Sequence, residues 1–159
     1  MRLVSKGDEI VIATRRGMSI RFKEKDVRPM GRASSGVRAI RLKSQDVVVG
    51  ADIIPKGSTT EEVLVVAEMG YGKKTKAKEY KVQNRGGGGI KTMNVTAKTG
   101  VIVSARIILP DEEDLIVVST KGQVIRTPLK DISSLGRATQ GVRIMKLEAG
   151  DKIASVTTL

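Results

Sequence analysis

From Asp114 to Thr120 the chain reads D-L-I-V-V-S-T, an apolar, β-branched run of strand length. Lys121-Gly122 follows as a two-residue turn signal, and Gln123–Thr127 alternates apolar with polar on the way back. Pro128 is expected to break that second strand. A third strand is expected over Val142–Leu147, a polar turn at Glu148–Asp151, and a fourth strand over Lys152–Leu159. The same order recurs upstream, with turns at Arg15-Arg16-Gly17 and at Met69-Gly70, and a closing strand at Val47–Ile54. No segment keeps an apolar period of 3.6 residues, so helix should be minor.

The recurrence is strict. Gly31–Arg38 (GRASSGVR), Asn84–Lys91 (NRGGGGIK) and Gly136–Arg143 (GRATQGVR) align without a gap. Arg32 maps to Arg85 at an offset of 53, and Arg85 to Arg137 at an offset of 52. Gly17, Gly70 and Gly122 keep those offsets, as do Arg21, Lys74 and Arg126. A period of about 50 residues means one supersecondary unit built three times. Four strands in such a unit fit a propeller-like blade. The chain therefore reads as all-β: one repeat domain over residues 1–159, with three four-stranded blades of about 50 residues at 8–54, 61–108 and 112–159. Three blades fall short of the ~4–8 that close a propeller ring. Either they form an open arc or they close with a partner.

Charge adds the partner class. There are 29 Lys and Arg against 17 Asp and Glu, a net of +12. The three repeats carry +4, +5 and +1 in order, so the first two should do most of the work of binding an anionic polymer. Cations at matching positions of a modular body suit duplex nucleic acid. Only Phe22, Tyr71 and Tyr80 are aromatic, too few to stack unpaired bases. With neither cysteine nor histidine, thiolate chemistry, His-based triads and His-ligated metals are excluded. No apolar run reaches the ~18 residues of a membrane span. An intracellular protein with no membrane partner is expected.

Gln83-Asn84-Arg85-Gly86-Gly87-Gly88-Gly89 is the most distinctive string. Four glycines flanked by Arg85 and Lys91 could bring backbone amides close to an anion, or could be a flexible connector between blades. The string contains no phosphate-binding-loop pattern, and no helix follows it. The acidic run Asp111–Asp114 reads as a solvated loop rather than a Mg²⁺ site, and Asp26, Glu79 and Asp131 recur once per blade in a turn or cap role.

The glycine string resembles the Q-x-R-G-G-K-G box of the bacterial DNA gyrase A family. DVRPMGR (Asp26–Arg32), GVRAIRL (Gly36–Leu42), KEYKVQNR (Lys78–Arg85), IKTMNV (Ile90–Val95) and GVRIMKL (Gly141–Leu147) are similar to that family's C-terminal domain, and the likeness covers nearly the whole chain. The resemblance implies a β-pinwheel, in which neighbouring blades exchange strands, and a basic outer rim that wraps duplex DNA. It implies no catalysis in this segment. ATP and Mg²⁺ would be used elsewhere in a parent topoisomerase that introduces negative supercoils, and no cofactor is expected here. The remainder of gyrase A, gyrase B and double-stranded DNA are the implied partners, in the bacterial cytoplasm at the nucleoid.

Three departures stand out. The family domain usually has about six blades, the box Lys is Gly88 here, and the family's principal box lies near the domain start. Three blades resemble the domain's C-terminal half. A homodimer closing a six-blade ring is one expected solution to the blade shortfall.

The repeat positions name the expected DNA-binding residues: Arg21, Lys74 and Arg126; Arg32, Arg85 and Arg137; Arg38, Lys91 and Arg143; and, in the box, Gln83, Gly86, Gly87 and Gly89. The C-terminal domain of topoisomerase IV is one alternative, disfavoured by the near-intact box. A protein-binding propeller is another, and salt dependence of binding separates it from a DNA binder.

Overall fold

The computed structural model describes residues 3–159; residues 1 and 2, the start of the expected single domain, lie outside it. Eleven strands are described: β1 (Glu9–Thr14), β2 (Met18–Lys23), β3 (Val48–Ile54), β4 (Glu62–Ala67), β5 (Tyr71–Lys76), β6 (Ile90–Lys91), β7 (Ile102–Ile107), β8 (Asp114–Ser119), β9 (Val124–Pro128), β10 (Val142–Arg143) and β11 (Ile153–Thr158). Helix is confined to three single 3-10 turns, Glu24–Asp26, Ala77–Glu79 and Leu129–Asp131. Each such turn ends on the acid that recurs once per repeat.

The strands form three antiparallel sheets, ordered β3-β1-β2-β6, β7-β4-β5-β10 and β11-β8-β9. Each hairpin turns on a glycine at positive φ: Gly17 (88°), Gly70 (80°) and Gly122 (84°). That conformation is left-handed and strained for any residue with a Cβ. Buried carboxylates brace two of the turns. Asp46 accepts the Arg16 and Val47 amides, and Asp151 accepts the Lys121 and Lys152 amides and the Thr120 hydroxyl.

The sequence places all four strands of a unit in one blade, but the sheets exchange them. β6 belongs to the second repeat and pairs with β2 of the first, Met18 opposite Lys91 and Ser19 opposite Ile90. β10 belongs to the third repeat and pairs with β5 of the second, Tyr71 opposite Arg143 and Gly72 opposite Val142. The third sheet has three strands, and β9 is its open edge. The strand expected over Val142–Leu147 shrinks to Val142–Arg143, because the chain leaves the edge it has joined and packs Met145 into the core. Pro128 is the last residue of β9 rather than the first residue past it, since the last position of an edge strand needs no N–H.

The core follows from the alternation. In β4, Val63, Val65 and Ala67 face one layer shared with the first sheet, while Leu64 and Val66 face a second layer shared with the third. The middle sheet is therefore buried on both faces, and its central strand reads as a continuous apolar run. Ile12, Ile20 and Phe22 make a third cluster on the outer face of the first sheet, covered by Ile40.

Candidate nucleic-acid interface

The segments that carry the repeated GxR pattern lie at the sheet edges and touch one another. Arg41 N–H donates to Gly87 O (2.8 Å), and Asn94 N–H donates to Thr139 O (2.9 Å). One such segment thus leans on the next.

The four glycines of the box are not a loose connector. Gly86 N–H donates to Ala39 O at 2.7 Å, which removes that amide from any anion cradle. Gly87 O accepts from Arg41, and a Cβ on Gly89 would lie 2.3 Å from Ser19 O. Gly89 is required by this close approach and Gly86 by its left-handed backbone (φ 84°), whereas a Cβ on Gly87 would meet only ordinary contacts. Gly88 alone has nothing within 4 Å of a Cβ, so the position where the family box carries Lys is open to solvent. Gln83 is held through its backbone N–H on Arg21 O (2.7 Å). Its amide Nε2 is buried without a protein partner.

The nine expected cations fall into three structural classes. Arg21, Lys74 and Arg126 each pair with the carboxylate twelve positions earlier on the neighbouring strand: Glu9, Glu62 (3.1 Å) and Asp114. Arg21 also donates to Ala77 O (2.6 Å) and Tyr80 O (3.2 Å), joining repeat one to repeat two. Arg21 and Lys74 are largely buried, while Arg126 stays 68% exposed on the open edge.

Arg85 and Arg137 are staples between repeats. Arg85 Nε donates to Asp26 O (2.9 Å) and its Nη1 to Arg38 O; Arg137 Nη1 donates to Lys91 O (2.8 Å). Arg32 holds the same place in repeat one and is exposed, with no partner among the described residues.

Arg38, Lys91 and Arg143 are the outward class, all exposed: Lys91 and Arg143 end the exchanged strands β6 and β10, and Arg38 holds the equivalent position of the first repeat outside any described strand. Arg38 and Lys91 are without ion pairs among the described residues. Arg143 stacks over the Tyr71 ring (5.6 Å to its centre) and donates to the Tyr71 hydroxyl (3.1 Å). Lys98 sits over the same ring at 5.3 Å. The hydrogen bond from Arg143 lowers the Tyr71 phenol against the effect of burial, and the charges of Arg143 and Lys98 add to it. Tyr80 is buried with its hydroxyl bonded to Thr92 (2.7 Å), and burial pushes its pKa up. The acidic run is also occupied: Glu112 holds Arg106 (2.6 Å) and the Leu109 amide (2.8 Å), and Asp114 holds Arg126.

Sequence reasoning missed Lys73. Its side chain is 0% exposed, and Nζ donates to Gly136 O, Arg137 O and Thr139 Oγ1 at 2.5–3.0 Å. It therefore fixes the loop that carries Arg137. Burial pulls its pKa down to about 8, Glu79 pushes it back up, and Arg137 lowers it further. The signal was available: its repeat counterparts are Ile20 and Ile125, core residues, so a Lys in that column must be buried.

Comparison with known proteins decides the family. The family described as DNA gyrase C-terminal domain, beta-propeller, matches at residues 8–55, 61–108 and 113–159. The chain belongs to this gyrase family. Among its relatives, the DNA gyrase A protein of Staphylococcus epidermidis (strain ATCC 12228 / FDA PCI 1200) is 46% identical over 156 residues. That match spans 98% of this chain but only 17% of the relative. A solved gyrase A C-terminal domain superposes with a TM-score of 0.84 at 26% identity, covering 98% of this chain and 52% of that one. The C-terminal domain of a DNA topoisomerase IV superposes at 0.90 with 22% identity, covering 99% and 48%, a likeness of fold. No described helix of this gyrase-family chain is long and apolar enough to cross a membrane.

Proposed function

We propose that this chain binds and wraps double-stranded DNA as a non-catalytic module of DNA gyrase A. In that reading it supports ATP-dependent negative supercoiling by a parent enzyme in the bacterial cytoplasm, with the rest of gyrase A and gyrase B as partners. ATP and Mg²⁺ are used elsewhere in that enzyme. One observation carries the reading: Arg38, Lys91 and Arg143 project from equivalent positions of three linked repeats, exposed, on a chain of net charge +12. Wrapping without reading bases needs regularly spaced cations, and exposed cations at equivalent positions of three linked repeats support that reading. The 46% identity to a DNA gyrase A protein favours gyrase over topoisomerase IV, whose likeness is one of fold.

A mobility-shift titration on linear duplex tests this. The triple variant Arg38→Glu, Lys91→Glu, Arg143→Glu is expected to bind far more weakly. Its plot of log K against log salt should flatten by about 0.9 for each phosphate that is no longer neutralised. Equal affinity for single and double strands, or a salt slope unchanged in the variant, would remove the proposal.

A further inference from the structure

Two cations from different repeats converge on one phenol ring. Arg143, on β10 of the third repeat, lies directly opposite Tyr71 in the register of the second sheet. Its guanidinium is 5.6 Å from the ring centre and donates to the hydroxyl at 3.1 Å. Lys98, of the second repeat, reaches the same ring at 5.3 Å. Its backbone is fixed in a tight turn, where the Gly100 amide donates to Thr96 O (2.9 Å) and the Thr96 amide to Thr99 Oγ1 (3.0 Å). Both cations are exposed, and neither has a carboxylate partner among the described residues. The ring attracts each of them, but they repel one another. An anion seated between them removes that repulsion, and phosphate oxygens suit both a guanidinium fork and an ammonium.

The surroundings leave this charge uncancelled. In the first and third repeats a carboxylate sits at the turn: Asp46 accepts the Arg16 amide (2.9 Å) and Asp151 the Lys121 amide (3.0 Å). In the second repeat the matching Met69 amide donates to Thr99 O instead (3.0 Å), so no carboxylate holds that place. Glu68, the acid beside it, is taken by Lys152 (3.1 Å). The joint between the first and second sheets has no such arrangement. There Met18 lies opposite Lys91, and the uncharged Gln45 stands 53 positions before Lys98.

We propose that Lys98, Tyr71 and Arg143 form a site for a single phosphate group of the DNA backbone, at the joint between the second and third sheets. The site rests on the duplex-binding reading and adds to it a cation outside the repeated columns, Lys98, and a ring that sets where both cations stand. It is complete only once β10 has crossed to the second sheet, because Arg143 comes from the third repeat. A phosphate held there draws the Arg143 hydrogen bond from the phenol and neutralises both cations. Those are the influences that lower the Tyr71 phenol, first the hydrogen bond and then the charges, so Tyr71 itself reports occupancy.

The chain has two tyrosines, and Tyr80 is buried with its hydroxyl on Thr92 (2.7 Å), an internal control. With tyrosine isotope-labelled at Cζ, nuclear magnetic resonance on the parent chain is expected to show duplex moving the Tyr71 signal and raising the pH at which it titrates, with Tyr80 unmoved. A Tyr71 signal that ignores duplex, or that moves with inorganic phosphate at matched ionic strength but not with duplex, overturns the assignment to a backbone phosphate. A mobility-shift titration then counts contacts. Lys98→Gln with Arg143→Gln leaves Arg38 and Lys91 in place. It is expected to bind linear duplex roughly eightfold more weakly at 0.1 M salt, with a salt slope flatter by about 0.9, the loss of one phosphate. A slope flatter by about 1.8 would put the two cations on separate phosphates and overturn the shared site. Unchanged affinity overturns the site while the duplex reading stands on a parent that binds; a parent that binds no duplex overturns both.

Discussion

At the residue scale, Gly88 and Lys73 make opposite cases. Gly88 is the one box glycine whose side-chain direction is empty, so Gly88→Lys restores a cation without moving backbone. Tighter duplex binding is expected, with a salt slope steeper by about 0.9 in the same mobility-shift titration. An unchanged slope would mean that this position faces away from the DNA. Lys73 is charged where a propeller core wants carbon. Its folded pKa of about 8 lies below the ordinary 10.5, so the folded state sheds this proton first. Between those values the unfolded chain binds more protons, and stability from this group rises with pH; below about 8 both states are charged and the full cost remains. In urea titrations, any excess stability of Lys73→Met over the parent should therefore shrink as pH climbs from 8 towards 10.5. A constant difference would show that the amine does not titrate there.

At the scale of the element, the turn glycines are unequal despite their shared backbone. Gly70→Ala adds a Cβ 2.3 Å from Met145 O, in a joint between sheets, as well as left-handed strain. Gly57 has φ 76° with open space around it, so Gly57→Ala meets the strain alone. Thermal or urea unfolding should register a loss of roughly 3 kcal/mol or more for the first and about 1–2 kcal/mol for the second. This is also where the sequence was most legible. Hairpins at Gly17, Gly70 and Gly122 and the closing strands are read from turn residues and alternation, because both signals are local. Strand exchange is not local. Val142-Arg143 looks the same in sequence whether it pairs at home or with the preceding repeat, and only the family resemblance pointed to exchange. The candidate site divides similarly. All nine repeated cations were read alike as DNA-binding; Arg38, Lys91 and Arg143 are exposed, whereas the ion pairs of Arg21 and Lys74 depend on cross-strand neighbours that the repeat alignment does not display.

At the scale of the molecule, the three repeats share two cores through one sheet. Leu64 and Val65 are neighbours in β4, yet they support different layers. Leu64→Ala should cost about 2–5 kcal/mol, and unfolding should remain a single transition, because both large layers are built on the middle sheet and the first sheet's own cluster is small. Two separated transitions by circular dichroism would show that the layers melt independently.

The exchanged strands also put the fold on a clock. The first sheet has three of its strands once Ile54 has left the ribosome, but its fourth strand is not made until Ile90 and Lys91. At about 5–20 residues per second, β2 waits several seconds with an unfilled edge during synthesis. In that interval the edge is free to pair with another nascent chain on the same message. Arg21 on β2 is already met by Glu9, but Lys23 is exposed at the end of that strand and gives such a meeting a like charge on both sides. A single exposed cation on the waiting edge thus helps to keep the growing domain apart from its neighbours.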